Sequence, residues 1–329
     1  MTTVALFNNK SGVGKTTLAY HLAHMMSRLG ARVLTVDLDP QANLTAHFLD
    51  EDELETLWGA DENARATVAG AVQPIVDGLG DVAVIAPRQV AENLWLLPGD
   101  LALSRFEERL AQEWPATLGG NSNAAVRVTT AFHRLVHAVS QQVEADVVLI
   151  DVGPNLGALN RSALLLADHV IVPLRADLFS AQGLQNLGPV LRRWRADWQG
   201  TALPRVPPSI KAPAGDMRPL GYVVMQPSMR LDRPVRAYQL WLDRIPGVYA
   251  MAVLGADAAA PTNGHEIATV RNYRSLMPLA HDARKPMFDL RAADGAIGST
   301  QRYVQVCFSE FRALAEEVLR RLQVSVPNR

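Results

Sequence analysis

Cysteine, lysine and long apolar runs are all scarce in this 329-residue chain. One cysteine, Cys307, excludes a disulfide framework, a thiolate zinc cluster and a CxxC redox pair. It sits in an apolar stretch and reads as a packed thiol. No apolar run reaches the roughly 18 residues that a membrane span requires. The first residues, MTTVALFNN, carry no basic leader and read as a strand rather than a signal peptide. A cytoplasmic location without membrane attachment is therefore expected. Lysine occurs four times against twenty-eight arginines. Two of the four, Lys10 and Lys15, lie five residues apart, and that pairing needs a reason.

The formal net charge of −1 conceals an asymmetry. Ala46 to Gly120 holds fourteen acids and four bases, whereas Arg192 to Arg302 holds sixteen bases and nine acids. Such a split can give a nearly neutral protein a cationic face. Each cluster taken alone also fits an ordinary solvated surface.

Strand and helix signals alternate along the chain. Strands are expected at Thr3–Phe7, Arg32–Val36, Val82–Ala86, Asn93–Leu97, Asp146–Ile150, His169–Pro173, Leu220–Met225 and Glu266–Val270. Helices are expected at Lys15–Leu29, Leu101–Trp114, Val126–Val143, Leu159–Ala167, Ala181–Trp198, Pro234–Asp243 and Thr300–Leu322. The alternation predicts an α/β fold: a doubly wound, mostly parallel sheet flanked by helices. Asp50–Asn63, Gly200–Pro219 and Gly255–Gly264 read as loops, the second because five prolines interrupt regular structure. Strand-helix units continue on both sides of each. A single domain over 1–329 is expected, with insertions around 46–92, 200–219 and 247–265.

Gly14-Lys15-Thr16 ends the phosphate-loop pattern GxxxxGK[ST] and stands between a strand and a helix. Glycine lets backbone N–H groups turn onto phosphate oxygens without a Cβ in the way. The helix N-terminus adds the positive end of its dipole. Lys15 would meet the β- and γ-phosphates and the Thr16 hydroxyl would ligate Mg²⁺. Asn9 stands where the pattern has its first glycine. After the second strand, Asp37 and Asp39 alternate, so both carboxylates point to one side, into the ligand crevice of an open sheet. Val147–Ile150 is apolar and delivers Asp151, the usual Walker B arrangement for holding Mg²⁺. An acid after a strand is often only a helix cap, but three such features in order point to a nucleotide site.

KSGVGKTT resembles the deviant Walker A motif, KGGxGK[ST]T, of the ParA/MinD ATPases. VDLDPQANLT resembles the VDxDPQxN segment of ParA proteins. DVVLIDVGPNLGALNRSALLLADHVIVPL is similar to their Walker B and switch region. NLWLLPGDLALSRFE and YVQVCFSEFRALAEEV also resemble ParA segments, so the likeness spans Thr3 to Leu322. It implies a P-loop NTPase fold of the ParA/MinD type, in a short form without an N-terminal DNA-reading domain. It implies that Lys10 is the signature lysine, reaching a partner's nucleotide across a dimer interface, and that Lys15 is the phosphate-loop lysine. Asp39 would orient the attacking water. Thr16 and Asp151, with Asp37 nearby, would serve Mg²⁺. Ser11, Gly12, Val13, Gly14, Lys15, Thr16 and Thr17 would surround the ATP phosphates. Met225 and Arg271 would lie near the base, although no matching asparagine is present. Ser11 replaces a glycine, and a positive φ there would cost on the order of 1 kcal/mol. Gly153 replaces a usual proline.

Relatives that carry an iron–sulfur cluster need paired cysteines, so the single Cys307 disfavours them. The stripe Phe308, Phe311, Leu314, Val318 and Leu322 reads as packing on the sheet rather than on a membrane. The resemblance thus implies a Mg²⁺-dependent ATPase that homodimerises with ATP and binds DNA without sequence preference. A ParB-like protein would stimulate its slow hydrolysis. Its role would be plasmid or chromosome partition or cargo positioning, with nucleoid association if DNA binds. VRNYRSL resembles the family's PRNxRL stretch, so Arg271 and Arg274 are the first DNA-facing candidates. Arg284, Lys285 and Arg302 follow, then Arg192, Arg193 and Arg195. A regulatory ATPase that acts on a partner without DNA is the alternative. His133 and His137 are four apart, but the spacing alone is a weak metal signal. His21 and His24 read as surface or packing residues.

Overall fold

The computed structural model describes residues 1–329 except 60–64, 121, 226–228, 231–232, 235, 258–262, 274 and 327–329; for 229–230, 233–234 and 236–237 it describes the backbone only. Five strands form the centre of the sheet: β1 (Thr2–Leu6), β2 (Val33–Asp37), β5 (Val147–Asp151), β6 (His169–Leu174) and β7 (Arg218–Met225). β3 (Arg88–Ala91), β4 (Leu94–Leu97) and β10 (Glu266–Val270) extend its edges. The order is β10-β7-β6-β1-β5-β2-β4-β3. Each neighbouring pair is parallel except β3 and β4, which form an antiparallel edge. A two-residue ladder, β8 (Met229–Arg230) with β9 (Arg233–Pro234), lies outside this sheet.

The helices are α1 (Lys15–Arg28), α2 (Asn43–Phe48), α3 (Glu51–Gly59), α4 (Val68–Val76), α5 (Ser104–Gly119), α6 (Asn123–Thr129), α7 (Ala131–Gln142), α8 (Ala158–Leu165), α9 (Leu178–Asp197), α10 (Arg236–Tyr249), α11 (Met277–Ala283) and α12 (Ser299–Arg321). Alternate residues of a strand serve opposite faces. Ala5, Val148 and Ile150 enter one apolar core with Phe106, Phe132 and Leu187. Val4, Leu6, Val147 and Leu149 enter the other with Leu22, Phe311 and Leu314. Central strands buried on both faces explain the continuous apolar runs in the sequence.

The doubly wound α/β expectation therefore holds. Several local expectations do not. Val82–Ala86 is no strand; the edge strand lies at Arg88–Ala91. Asp50–Asn63, expected as a loop, contains α3, which packs Leu57 with Leu49 and Leu96. Its apolar stripe is too short to stand out among the acids. Residues 60–63 of that segment lie outside the described residues. The helix expected over Val126–Val143 breaks at Thr130. Helix α10 runs six residues beyond Asp243 to Tyr249. Helix α12 buries Phe311, Leu314 and Val318 against the sheet side that α1 also covers. Cys307 is fully buried there, and burial pushes its thiol up.

Candidate nucleotide site

Strand β1 is flanked by β5 and β6, and its C-terminal end feeds the loop Phe7–Gly14 into α1. Two turns of this loop require glycine: Gly12 has φ +68 and Gly14 has φ +93. Gly14 is also closely backed, since a Cβ would meet Met225 Cε at 3.2 Å. Ser11 is exposed and is not among the residues with positive φ. Its substitution for glycine therefore carries no left-handed strain. The loop leads directly into α1, whose first N–H groups have no side-chain cap. Those N–H groups are available to an anion.

Lys15 is only 7% exposed, and its ammonium makes a long 3.5 Å contact with the Lys10 carbonyl. Burial lowers its pKa, opposed by Asp151 and Asp39. The Thr16 hydroxyl donates to Asp151 Oδ2 at 2.7 Å, while Asp151 Oδ1 is buried without a partner among the described residues. Burial, then the neighbouring Asp37 charge, pushes Asp151 up to about 8. A buried carboxylate with an idle oxygen and a raised pKa is short of a cation.

A magnesium ion fits that deficit. It takes hard oxygen ligands and is usually held by one or two protein groups plus phosphates and water. Thr16 and Asp151 offer such oxygens. Among the described residues no three His, Cys, Asp or Glu side chains group as a metal cage.

Asp39 is 7% exposed and faces the same cleft. Its Oδ1 accepts the Gln41 N–H at 3.0 Å, and a Cβ on Gly153 would reach that oxygen at 3.3 Å. Gly153, in place of proline, thus lies directly behind Asp39. Asp37, expected beside the metal, is committed elsewhere. Its Oδ2 accepts from both N–H and O–H of Thr45, at 2.8 and 2.7 Å, and its Oδ1 accepts the Asp39 N–H at 3.2 Å. It shapes the turn that presents Asp39 and anchors α2. Burial, only partly offset by those bonds, pushes it up to about 6.

Ser11, Gly12, Gly14, Lys15, Thr16, Thr17 and Asp39 line one cleft of about 260 Å³. Gln41, Asn43, His47 and Pro154 complete it, four residues that sequence reasoning missed. Val13 is buried beneath the loop. Met225 is buried too and supports Gly14 from behind. Arg271 is exposed and pairs with Glu310 at 2.7 Å, and it is not among the residues lining the cleft.

Lys10 does not enter its own cleft. Its ammonium bonds both oxygens of Asp177, at 2.9 and 2.7 Å, and lies 5.5 Å from the Phe179 ring centroid. Asp177 is the N-cap of α9, also accepting the Ser180 N–H at 2.7 Å. Partial burial pushes Asp177 up, but Lys10 and Ser180 together hold it below the usual carboxylate range.

The expected DNA-facing cations are largely spoken for. Arg271 has Glu310. Arg284 donates to the carbonyls of Ala46 and Leu49, at 3.2 and 2.5 Å, closing the C-terminal end of α2. Lys285 pairs with Asp294 at 2.8 Å. Arg192 donates to Ala252 and Val253, Arg195 to Met217, and exposed Arg193 pairs with Asp197. Arg302 is exposed, with no ion pair among the described residues. Arg274 lies outside the described residues. His21, expected as a surface or packing residue, is buried: Nδ1–H donates to the Thr17 carbonyl at 2.8 Å and Nε2 accepts the Met287 N–H at 3.0 Å. The His133 and His137 rings stand 6.0 Å apart. Among the described residues no helix is long and apolar enough to cross a membrane.

A sequence profile of the family described as an AAA domain matches residues 1–199. The sporulation initiation inhibitor protein Soj of Bacillus subtilis is 30% identical over 184 residues, which cover 56% of this chain and 62% of Soj. The chromosome partitioning protein ParA of Caulobacter vibrioides is 30% identical over 192 residues, covering 58% of this chain and 62% of that protein. The chain thus spans less than two thirds of the length of these relatives. Among solved structures, protein DIP2308 from Corynebacterium diphtheriae is similar over 98% of this chain and 99% of that one, with 25% identity and a TM-score of 0.72.

Proposed function

The chain belongs to the ParA-type P-loop ATPases, and from that premise we propose that it is a Mg²⁺-dependent ATP switch that homodimerises around its nucleotides. One observation carries the reading: Lys15, Thr16 and Asp39 line a single cleft, and Asp151, hydrogen-bonded to Thr16, keeps a buried oxygen without a partner among the described residues. The loop N–H groups and Lys15 bind the phosphates of ATP. Thr16 and Asp151 hold Mg²⁺, which offsets charge on the β- and γ-phosphates. Asp39, backed by Gly153, orients the attacking water. Lys10 leaves Asp177 and meets the partner's triphosphate. The partition roles in the relatives' names make partition or cargo positioning the proposed task. A stimulating partner of the ParB kind would reset the switch.

Asp39→Ala separates binding from hydrolysis. The variant is expected to bind ATP with near-wild-type affinity, lose ~10²-fold or more in turnover, and accumulate as an ATP dimer in size-exclusion light scattering. Normal turnover would remove Asp39 from the reaction.

A second reading has its own support. Arg271, Arg284 and Lys285 are engaged inside the protein, which favours an ATPase that acts on a protein partner without DNA. Retention of random-sequence DNA by the ATP dimer at low salt divides the two readings.

A further inference from the structure

The segment after β5, residues 153–157, is tied down by side chains that the ATP chemistry does not itself require. Asn160, on α8, is 1% exposed. Its amide Nδ2 donates to the Gly153 carbonyl at 2.8 Å, the Asn155 carbonyl at 2.9 Å and Asn155 Oδ1 at 3.0 Å. Its own Oδ1 is buried with no donor among the described residues. The amide is thus oriented entirely by its donor side. The other end of the segment is fixed from α5. Glu107 accepts the N–H of Ala158 at 2.6 Å and of Leu159 at 2.9 Å, capping α8, whose own N-cap Gly157 supplies no side chain. A Cβ on Gly157 would fall 2.5 Å from Glu107 Oε1, so glycine is needed for that approach. One turn on, the Arg161 guanidinium lies 4.0 Å from the Trp114 ring centroid, joining α8 to α5 again.

A Cβ added at Gly153 would stand 3.3 Å from Asp39 Oδ1 and 3.6 Å from Asn160 Nδ2, so both side chains face this residue. The residue whose carbonyl Asn160 holds is thus also the one that stands beside the Asp39 carboxylate. We propose that Asn160 and Glu107 are positioning residues for hydrolysis: they hold residues 153–157 in the register that keeps Asp39 aimed at the water, and they make α5 the lever through which that register can be shifted. This rests on the ATPase reading above. A small displacement of an orienting group is enough to slow chemistry severely while leaving ground-state binding intact. Charge matters as well as fit. Asn160→Asp keeps the shape but faces a carboxylate toward two carbonyls, and so should not rescue. Glu107→Gln keeps one acceptor for the two N–H groups and should recover part of what Glu107→Ala loses.

The test combines kinetics with amide hydrogen exchange on the full chain. Asn160→Ala and Asn160→Asp are expected to lower kcat about ten- to a hundredfold, with the Kd of a fluorescent ATP analogue changed less than about threefold. Glu107→Ala should speed exchange at Ala158 and Leu159 by about tenfold or more, with Glu107→Gln between it and the wild type. Unchanged kcat in Asn160→Asp, or a parallel loss of ATP affinity, overturns the positioning role. Unchanged exchange in Glu107→Ala overturns the cap. Exchange needs no turnover, so a wild-type chain without ATPase activity would sink the ATPase reading separately.

Discussion

In the cleft at the start of α1, Lys15 is buried with only a 3.5 Å carbonyl contact, and nearby Asp151 holds one oxygen with no partner among the described residues. In the C-terminal third, Arg271, Arg284 and Lys285 each close on Glu310, on α2 carbonyls, or on Asp294. Both regions carry charged groups that the sequence marks as functional. Among the described residues, the first leaves such groups buried without an ion pair, whereas in the second only exposed Arg302 lacks a hydrogen-bond or ion-pair partner. A buried polar group without a partner costs about 1–3 kcal/mol, so a fold that keeps Asp151 Oδ1 unpaired near a buried Lys15 held only by one long contact is shaped for a ligand that completes them. A cation that already has its acceptor is accounted for by the fold itself. The difference ranks the functional assignments without reference to any relative.

The largest break in that comparison comes from Lys15→Ala. Removing the cleft's buried cation should weaken ATP binding by about a hundredfold, equivalent to about 3 kcal/mol, as measured by calorimetry. Wild-type affinity in this variant would mean that the unsatisfied groups do not mark the ligand site.

Legibility follows the same divide. The placement of Lys15, Thr16 and Asp151 was legible because its signals are local: one loop, one helix start and one apolar strand ending in an acid. Ser11 was readable as a substitution, but its harmlessness was not, since only the backbone reveals that its φ is not positive. The roles of Asp177 and Glu107 depend on partners brought close by the fold, 167 residues apart for Lys10 and Asp177 and 51 for Glu107 and Ala158. The commitments of Arg271 and Arg284 were hidden for that reason too, with partners 39 and 238 residues away. Arginine spacing looks alike whether a guanidinium meets a phosphate or a helix end. The short helix α3 was lost because too few apolar residues interrupt its acids to reveal a period.

His21 joins the two regions, from Thr17 in the first turn of α1 to Met287 beyond α11. Burial pushes its pKa down to about 4. The unfolded chain, with histidine near 6.5, binds the proton first, so stability is present above about pH 6.5 and is lost as pH falls toward 4. The loss should be about 3 kcal/mol for His21 alone, from 2.5 pH units at 1.36 kcal/mol each. Urea unfolding at pH 7 and pH 4.5 measures it. A His21→Gln variant should show a shallower acid slope; an unchanged slope would place the acid sensitivity elsewhere.

Lys10 lies between the two cases, paired but only partly buried. Asp177→Ala should release it and raise the ATP dimer population about tenfold, the scale of one charge-assisted bond. Lys10→Ala should bind ATP as one chain and fail to dimerise. Light scattering with ATP distinguishes these. ATP-dependent dimers in Lys10→Ala would return that lysine to the partnered surface charges.

The smallest effect expected is at Arg302, and it sharpens the comparison most directly. Among the described DNA candidates it is exposed without an ion pair, whereas Arg271, Arg284 and Lys285 are held. If the ATP dimer binds DNA, each phosphate contact contributes about one unit to the slope of log affinity against log salt. Arg302→Ala should lower that slope by about one unit and leave thermal stability unchanged. Arg284→Ala should do the reverse, lowering stability by about 1 kcal/mol through the exposed end of α2 while leaving the salt slope alone. Were Arg284→Ala to flatten the slope with no loss of stability, its bonds to Ala46 and Leu49 would have to open in the DNA-bound dimer. Satisfaction in the free chain would then be no guide to function, and the inference from unpaired groups would hold only inside the cleft.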